Sequence, residues 1–94
     1  MANLLSDEEL ATALASLSDW YGDSAAITRV VRLSEERVPG FLDELEGIAR
    51  EMNHDPAVDR SGGELTITMS THSAGGVTEL DVEYARRVDA LLVD

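Results

Sequence analysis

Two histidines, His54 and His72, are the only imidazoles in the chain, and each stands where a regular element ends. Asp55 and Pro56 follow the first, Thr71 precedes the second, and Asp81 lies a short way beyond it. Imidazole titrates near neutrality, so a histidine can give or take a proton at physiological pH. An aspartate at a helix start can fix the tautomer of a neighbouring imidazole, as outer carboxylates do for metal-bound histidines. These residue types therefore fit general acid–base chemistry by His54 and His72, with Asp81 completing the catalytic set. A plainer account also fits. A histidine after a helix caps terminal carbonyls, and an aspartate in a first helical turn answers the helix dipole.

Other chemistries draw on the same residues. Two histidines and a carboxylate form a donor set for iron(II) or zinc. Adjacent His54 and Asp55 in extended backbone point to opposite sides, however, and no metal is expected. A Ser-His-Asp triad lacks the Gly-x-Ser-x-Gly elbow that would expose its nucleophile. Trp20 and Tyr21 read either as a stacking wall for a flat ligand or as core beside a short strand.

Composition removes further classes. The 94 residues make one domain, 1–94, whose modest core favours oligomerisation. There is no cysteine, hence no disulfide, thiolate nucleophile or cysteine-based zinc site. Nineteen acidic residues face seven arginines and no lysine, giving a net charge of −12. Such a chain offers no basic footprint for nucleic acid, no Schiff-base lysine and no phosphate loop of the GK[ST] type. The N-terminus carries no signal-peptide pattern, and no window has the length of a membrane span. A soluble cytoplasmic protein is the expectation.

The elements that must position the histidines follow from caps and periodicity. Ser6-Asp7-Glu8-Glu9 is a capping box, and Leu10, Leu14 and Leu17 share one face, so a helix is predicted from Asp7 to Leu17. Trp20-Tyr21 reads as a short strand paired to the start of an alternating one, Ala25 to Leu33. Ser34-Glu35-Glu36 signals a second helix reaching Met52, with Pro39 tolerated near its start or marking its true first turn. Val38, Phe41, Leu42, Leu45, Ile48, Ala49 and Met52 give it a broad apolar face suited to an oligomer contact. Asn53 to Pro56 stop it. Val58–Arg60 and Glu64–Thr71 flank Ser61-Gly62-Gly63 as a hairpin. Thr78 caps a last helix whose buried side is Leu80, Tyr84, Val88, Leu91 and Leu92. The order α-β-β-α-β-β-α predicts an α+β fold: a four-stranded antiparallel sheet with helices on one face.

With these residues in place, the chain resembles the pterin-4a-carbinolamine dehydratase family over nearly its whole length. The family's signature has a His-His-Pro or His-Asn-Pro after a long helix. A strand ending in Thr-His follows, then Gly-Gly-Leu-Thr and an aspartate. Here these blocks read His54-Asp55-Pro56, Thr71-His72, Gly75-Gly76-Val77-Thr78 and Asp81, in order and at the family's spacing. Trp20 is similar to the tryptophan after the family's first helix, and Phe41 to its second-helix phenylalanine. Asp55 departs from the second His or Asn, and Gly62-Gly63 from an aromatic-Asn pair. The resemblance implies dehydration of a 4a-hydroxytetrahydropterin to the quinonoid dihydropterin in a homodimer or homotetramer, without metal or redox cofactor. It implies that His54, His72 and Asp81 are catalytic, and that Asp55, Pro56, Thr71 and Trp20 meet the pterin. Similar proteins without the activity imply an alternative, a non-catalytic binding or assembly protein.

Overall fold

The computed structural model describes residues 3–92. Helix α1 (Asp7–Ser16) is followed by β1 (Tyr21–Gly22), β2 (Ile27–Arg32) and helix α2 (Val38–Met52). Strands β3 (Ala57–Ser61) and β4 (Glu64–Met69) precede a 3-10 turn (His72–Ala74) and helix α3 (Glu79–Leu91). This is the predicted α-β-β-α-β-β-α order, with one four-stranded antiparallel sheet ordered β1-β2-β4-β3.

Alternation along the strands decides which face is buried. Ile27 opposes Met69 and Val31 opposes Leu65 across the β2–β4 pair, while Val58 opposes Ile67 on the β3 side. Ile27, Val31, Leu65, Ile67 and Met69 are buried under the helices, whereas Thr28, Thr66 and Thr68 on the other face are partly accessible. Slipping the register by one residue would exchange these faces, so the pattern itself locks the pairing. The helices complete one core with Leu10, Ala13 and Leu17 from α1 and its exit. Val38, Phe41, Leu45 and Ala49 come from α2, and Val82, Tyr84, Ala85 and Val88 from α3.

Three expectations shift. Helix α2 begins at Val38, not at Ser34: a turn spans 35–37, Arg37 caps without a side-chain bond, and Pro39 lies in the first turn. Proline's fixed φ and missing N–H suit that position, which outweighs the acidic Ser-Glu-Glu signal. Strand β4 ends at Met69, because Thr71 leaves the ladder to bridge Gly76. On α3 the buried face is rotated: Asp81, Val82, Tyr84, Ala85 and Val88 are inside, while Leu80, Leu91 and Leu92 are only half-buried. No helix among the described residues is long and apolar enough to cross a membrane.

Candidate active site

The site begins at the end of α2. Asn53 adopts a left-handed conformation (φ 53°, ψ 48°), which asparagine tolerates better than most residues. The Asn53 amide then donates to the Arg50 carbonyl (3.3 Å) and the His54 amide to Ala49 (3.0 Å). This pair of bonds is a Schellman closure, and it satisfies carbonyls that the helix end would otherwise strand. The backbone of His54 thus does the capping expected of its side chain, and the ring turns inward towards α3. Pro56 holds Asp55 out of helical geometry and sends the chain on into β3.

The second half is the start of α3. Thr78 and Asp81 form a capping box: the Thr78 amide donates to Asp81 Oδ2 (2.9 Å), and Thr78 Oγ1 accepts from the Leu80 amide (3.2 Å). Thr71, arriving from β4, donates its hydroxyl to the same Oδ2 (2.9 Å) and lies 2.7 Å from Thr78 Oγ1. Asp81 Oδ1 remains for His54, whose Nε2 lies 2.5 Å away. The Asp81 side chain is 0% exposed and that of His54 only 10%. An aspartate with two bonded partners on one oxygen has a fixed carboxylate plane, so the imidazole it meets is fixed as well. With Nε2 donating to the carboxylate, neutral His54 carries its free lone pair on Nδ1.

His72 begins the turn that joins these halves. The Thr71 amide donates to the Gly76 carbonyl (2.9 Å), and the Ala74 and Gly75 amides both return to the Thr71 carbonyl (3.0 Å each). The Val77 amide donates to Ser24 (2.9 Å), and the Leu5 amide to Val77 (3.1 Å). A Cβ at Gly76 would stand 2.4 Å from the Ser24 carbonyl oxygen, so only glycine lets the loop close here. His72 itself is exposed, and among the described residues its ring has no hydrogen-bond partner.

Tyr84 lies one turn beyond Asp81 on α3. Its ring is fully buried, and its hydroxyl donates to the Leu45 carbonyl (2.9 Å). Burial, with a smaller push from the negative charge of Asp55, raises the phenol to about 12. The folded state thus favours the neutral phenol more than the unfolded chain does. That stabilisation is complete below pH 10 and is lost as pH rises through 12. Tyr84→Phe is expected to lose about 1 kcal/mol at neutral pH. It should also flatten the decline in urea midpoint between about pH 10 and 12, measured by circular dichroism.

Of the residues the sequence marks, His54, Thr71 and Asp81 come together in one hydrogen-bonded set, and Thr78 joins them. The Thr78-x-x-Asp81 spacing is a capping-box signal, but the sequence reading makes Thr78 a cap alone. Asp55 is exposed and Pro56 half-buried beside His54. Thr71, expected to meet substrate, instead has a buried side chain turned to Asp81. Trp20 is a correction too. It is 4% exposed and its indole N–H donates to Asp89 Oδ1 (2.8 Å), which also pairs with Arg29 (2.5 Å). An indole so enclosed is core and offers no free face to a ring. Among the described residues no three His, Asp or Glu side chains group as a metal set. An open groove between α1 and α3, lined in part by Leu5, Ala13, Leu80 and Val82, touches neither histidine.

The comparisons agree with this frame. The family model described as pterin 4 alpha carbinolamine dehydratase matches residues 3–91. A Nocardia farcinica protein carrying the provisional name pterin-4-alpha-carbinolamine dehydratase is 40% identical over 89 residues, covering 94% of each chain. A Haloarcula marismortui protein of the same provisional name is 34% identical, over 97% of this chain and 98% of its own. A crystal structure of a transcriptional coactivator/pterin dehydratase from Brucella melitensis superposes with a TM-score of 0.90. It is 32% identical and covers 95% of this chain and 98% of that one. A pterin dehydratase-like RuBisCO assembly factor of the alpha-carboxysome shares the fold at a TM-score of 0.61, with 24% identity over 77% of this chain and 84% of its own. On the match over nearly the whole chain and on relatives above 30% identity, the chain belongs to the pterin-4a-carbinolamine dehydratase family.

Proposed function

We propose that His54 and His72 carry out the reaction of the family, loss of water from a 4a-hydroxytetrahydropterin, as a general base and a general acid. The observation that carries this reading is the pairing of His54 Nε2 with the buried Asp81 carboxylate, which leaves Nδ1 as the basic nitrogen. In the reaction the C4a–O bond breaks and a C4a=N5 double bond forms. His54 Nδ1 takes the proton from N5, and protonated His72 gives one to the departing hydroxyl, which leaves as water. Proton exchange with solvent resets both rings. Asp81 acts through His54 and stabilises its cation. Asp55, exposed at the family's second-histidine position, accepts from the amino edge of the pterin, and Pro56 sets its backbone.

Stopped-flow dehydration of a 4a-hydroxytetrahydropterin tests the reading. Wild type is expected to turn over. His72→Ala is expected to lose at least about 100-fold in kcat while keeping its fold, because the His72 ring has no hydrogen-bond partner among the described residues and the backbone bond from the Gly75 amide to its carbonyl survives the change. An inactive wild type would leave the non-catalytic binding or assembly reading in its place. We propose further that the protein works as a cytoplasmic homodimer or homotetramer through the α2 face around Leu42 and Ile48, both only partly buried. Light scattering should give two or four copies, and a monomer would overturn this assignment.

A further inference from the structure

The proton inventory around Asp81 has one solution. An ionised carboxylate only accepts, so Thr71 must donate its single hydroxyl proton to Asp81 Oδ2, 2.9 Å away. Thr71 then has no proton left for Thr78, although the two hydroxyl oxygens are 2.7 Å apart. Thr78 must therefore donate to Thr71, and a Thr78 lone pair accepts the Leu80 amide at 3.2 Å. The hydroxyls run one way: Thr78 to Thr71 to Asp81. Thr71 is 5% exposed, and Thr78 and Asp81 are 0% exposed, so no solvent competes for these groups. Chains of this kind polarise each link towards the charged end, and in a dry site the effect is not screened.

We propose that Thr71 and Thr78 are positioning residues whose hydroxyl relay orients the Asp81 carboxylate and through it selects the tautomer of His54. The relay and the Thr78 amide occupy Oδ2, so only Oδ1 is presented to the ring. Oδ1 accepts a proton donor, which holds neutral His54 in the Nε2–H form with Nδ1 free. The same clip joins the end of β4 to the cap of α3 across the loop that carries His72. One pair of side chains therefore sets the geometry at both histidines. The family comparison does not assign this role, and neither does the chain's local pattern, in which Thr78 is a cap and Thr71 a strand end.

The inference deepens the dehydratase reading and rests on it for its catalytic consequence, but its structural half has a readout independent of turnover. Long-range proton–nitrogen NMR of the ring reports which nitrogen of His54 bears the proton. In wild type, above the titration of the ring, Nε2–H is expected to dominate. A dominant Nδ1–H form would overturn the proposal without any variant. Thr71→Val removes one of the two donors to Oδ2 and lets the carboxylate turn away from the ring, so Oδ1 loses its hold on Nε2–H and the two tautomers are expected to mix. It should lower kcat by about 10- to 100-fold with KM nearly unchanged, the usual cost of losing an outer partner. Thr71→Ser restores the hydroxyl and should restore both the tautomer and kcat. A folded Thr71→Val protein with wild-type ring signals and turnover would overturn the relay. If Thr71→Val does not fold, the wild-type spectrum and Thr71→Ser decide. An inactive wild type with the expected tautomer and its loss in Thr71→Val would remove the dehydratase reading and leave the relay standing.

Discussion

Replacing His54 by alanine is expected to lower kcat for pterin dehydration by at least about 100-fold, the scale on which general acid–base groups act. The ring has one nitrogen committed to Asp81 and is only 10% exposed, so no water takes over the Nδ1 position in a defined geometry. The substitution also strands Asp81 Oδ1 in a fully buried place, which should cost about 1–3 kcal/mol of stability. These two losses separate with His54→Gln. A glutamine amide can donate to Oδ1 as the imidazole does, but it has no basic nitrogen. His54→Gln should therefore regain much of the lost stability in urea unfolding and none of the lost rate. Wild-type turnover in a folded His54→Ala protein would remove His54 from the mechanism.

The fold is legible where a local rule and the final packing agree. Ser6 and Glu9 do form both bonds of the capping box. The alternation of Leu65, Ile67 and Met69 picks the buried face of β4 outright, since all three are 0% exposed. The start of helix α2 stays open between two readings, because Ser34-Glu35-Glu36 and Val38-Pro39 are both start signals; the structure takes the second, with Pro39 in the first turn. In the site, residue types and a pairing of Asp81 with one imidazole are legible, but which imidazole it meets and what else holds it are not. His54 and Asp81 are 27 residues apart, and Thr71 and Thr78 meet only when β4 and the α3 cap converge. The indole of Trp20 is the same lesson reversed. Beside a short strand it reads either as a stacking wall or as core, and Asp89, 69 residues on, takes its N–H and decides for the core.

Asp81→Asn is expected to abolish the base while sparing the fold. The amide has one oxygen and one NH2 group, and the two sides of residue 81 make opposite demands. On the inner side the Thr78 amide and the Thr71 hydroxyl both donate, so the oxygen must face them to keep the α3 cap. The NH2 group is then directed at His54 Nε2, which must accept. His54 is forced into its Nδ1–H form, and the nitrogen that should take the N5 proton already carries one. The reverse orientation would set NH2 against the Thr78 N–H, two donors face to face in a site with no solvent. Dehydration should fall by about 100- to 10,000-fold, within the range of general acid–base effects. Stability should change by no more than about 1–2 kcal/mol, because the capping bonds survive. Asp81→Ala should differ in kind. It removes the cap, the partner of Thr71 and the partner of His54 together, and about 3–5 kcal/mol of stability with them. If Asp81→Asn kept both its fold and its turnover, the carboxylate would not be what sets the proton on His54, and the base would have to be sought elsewhere.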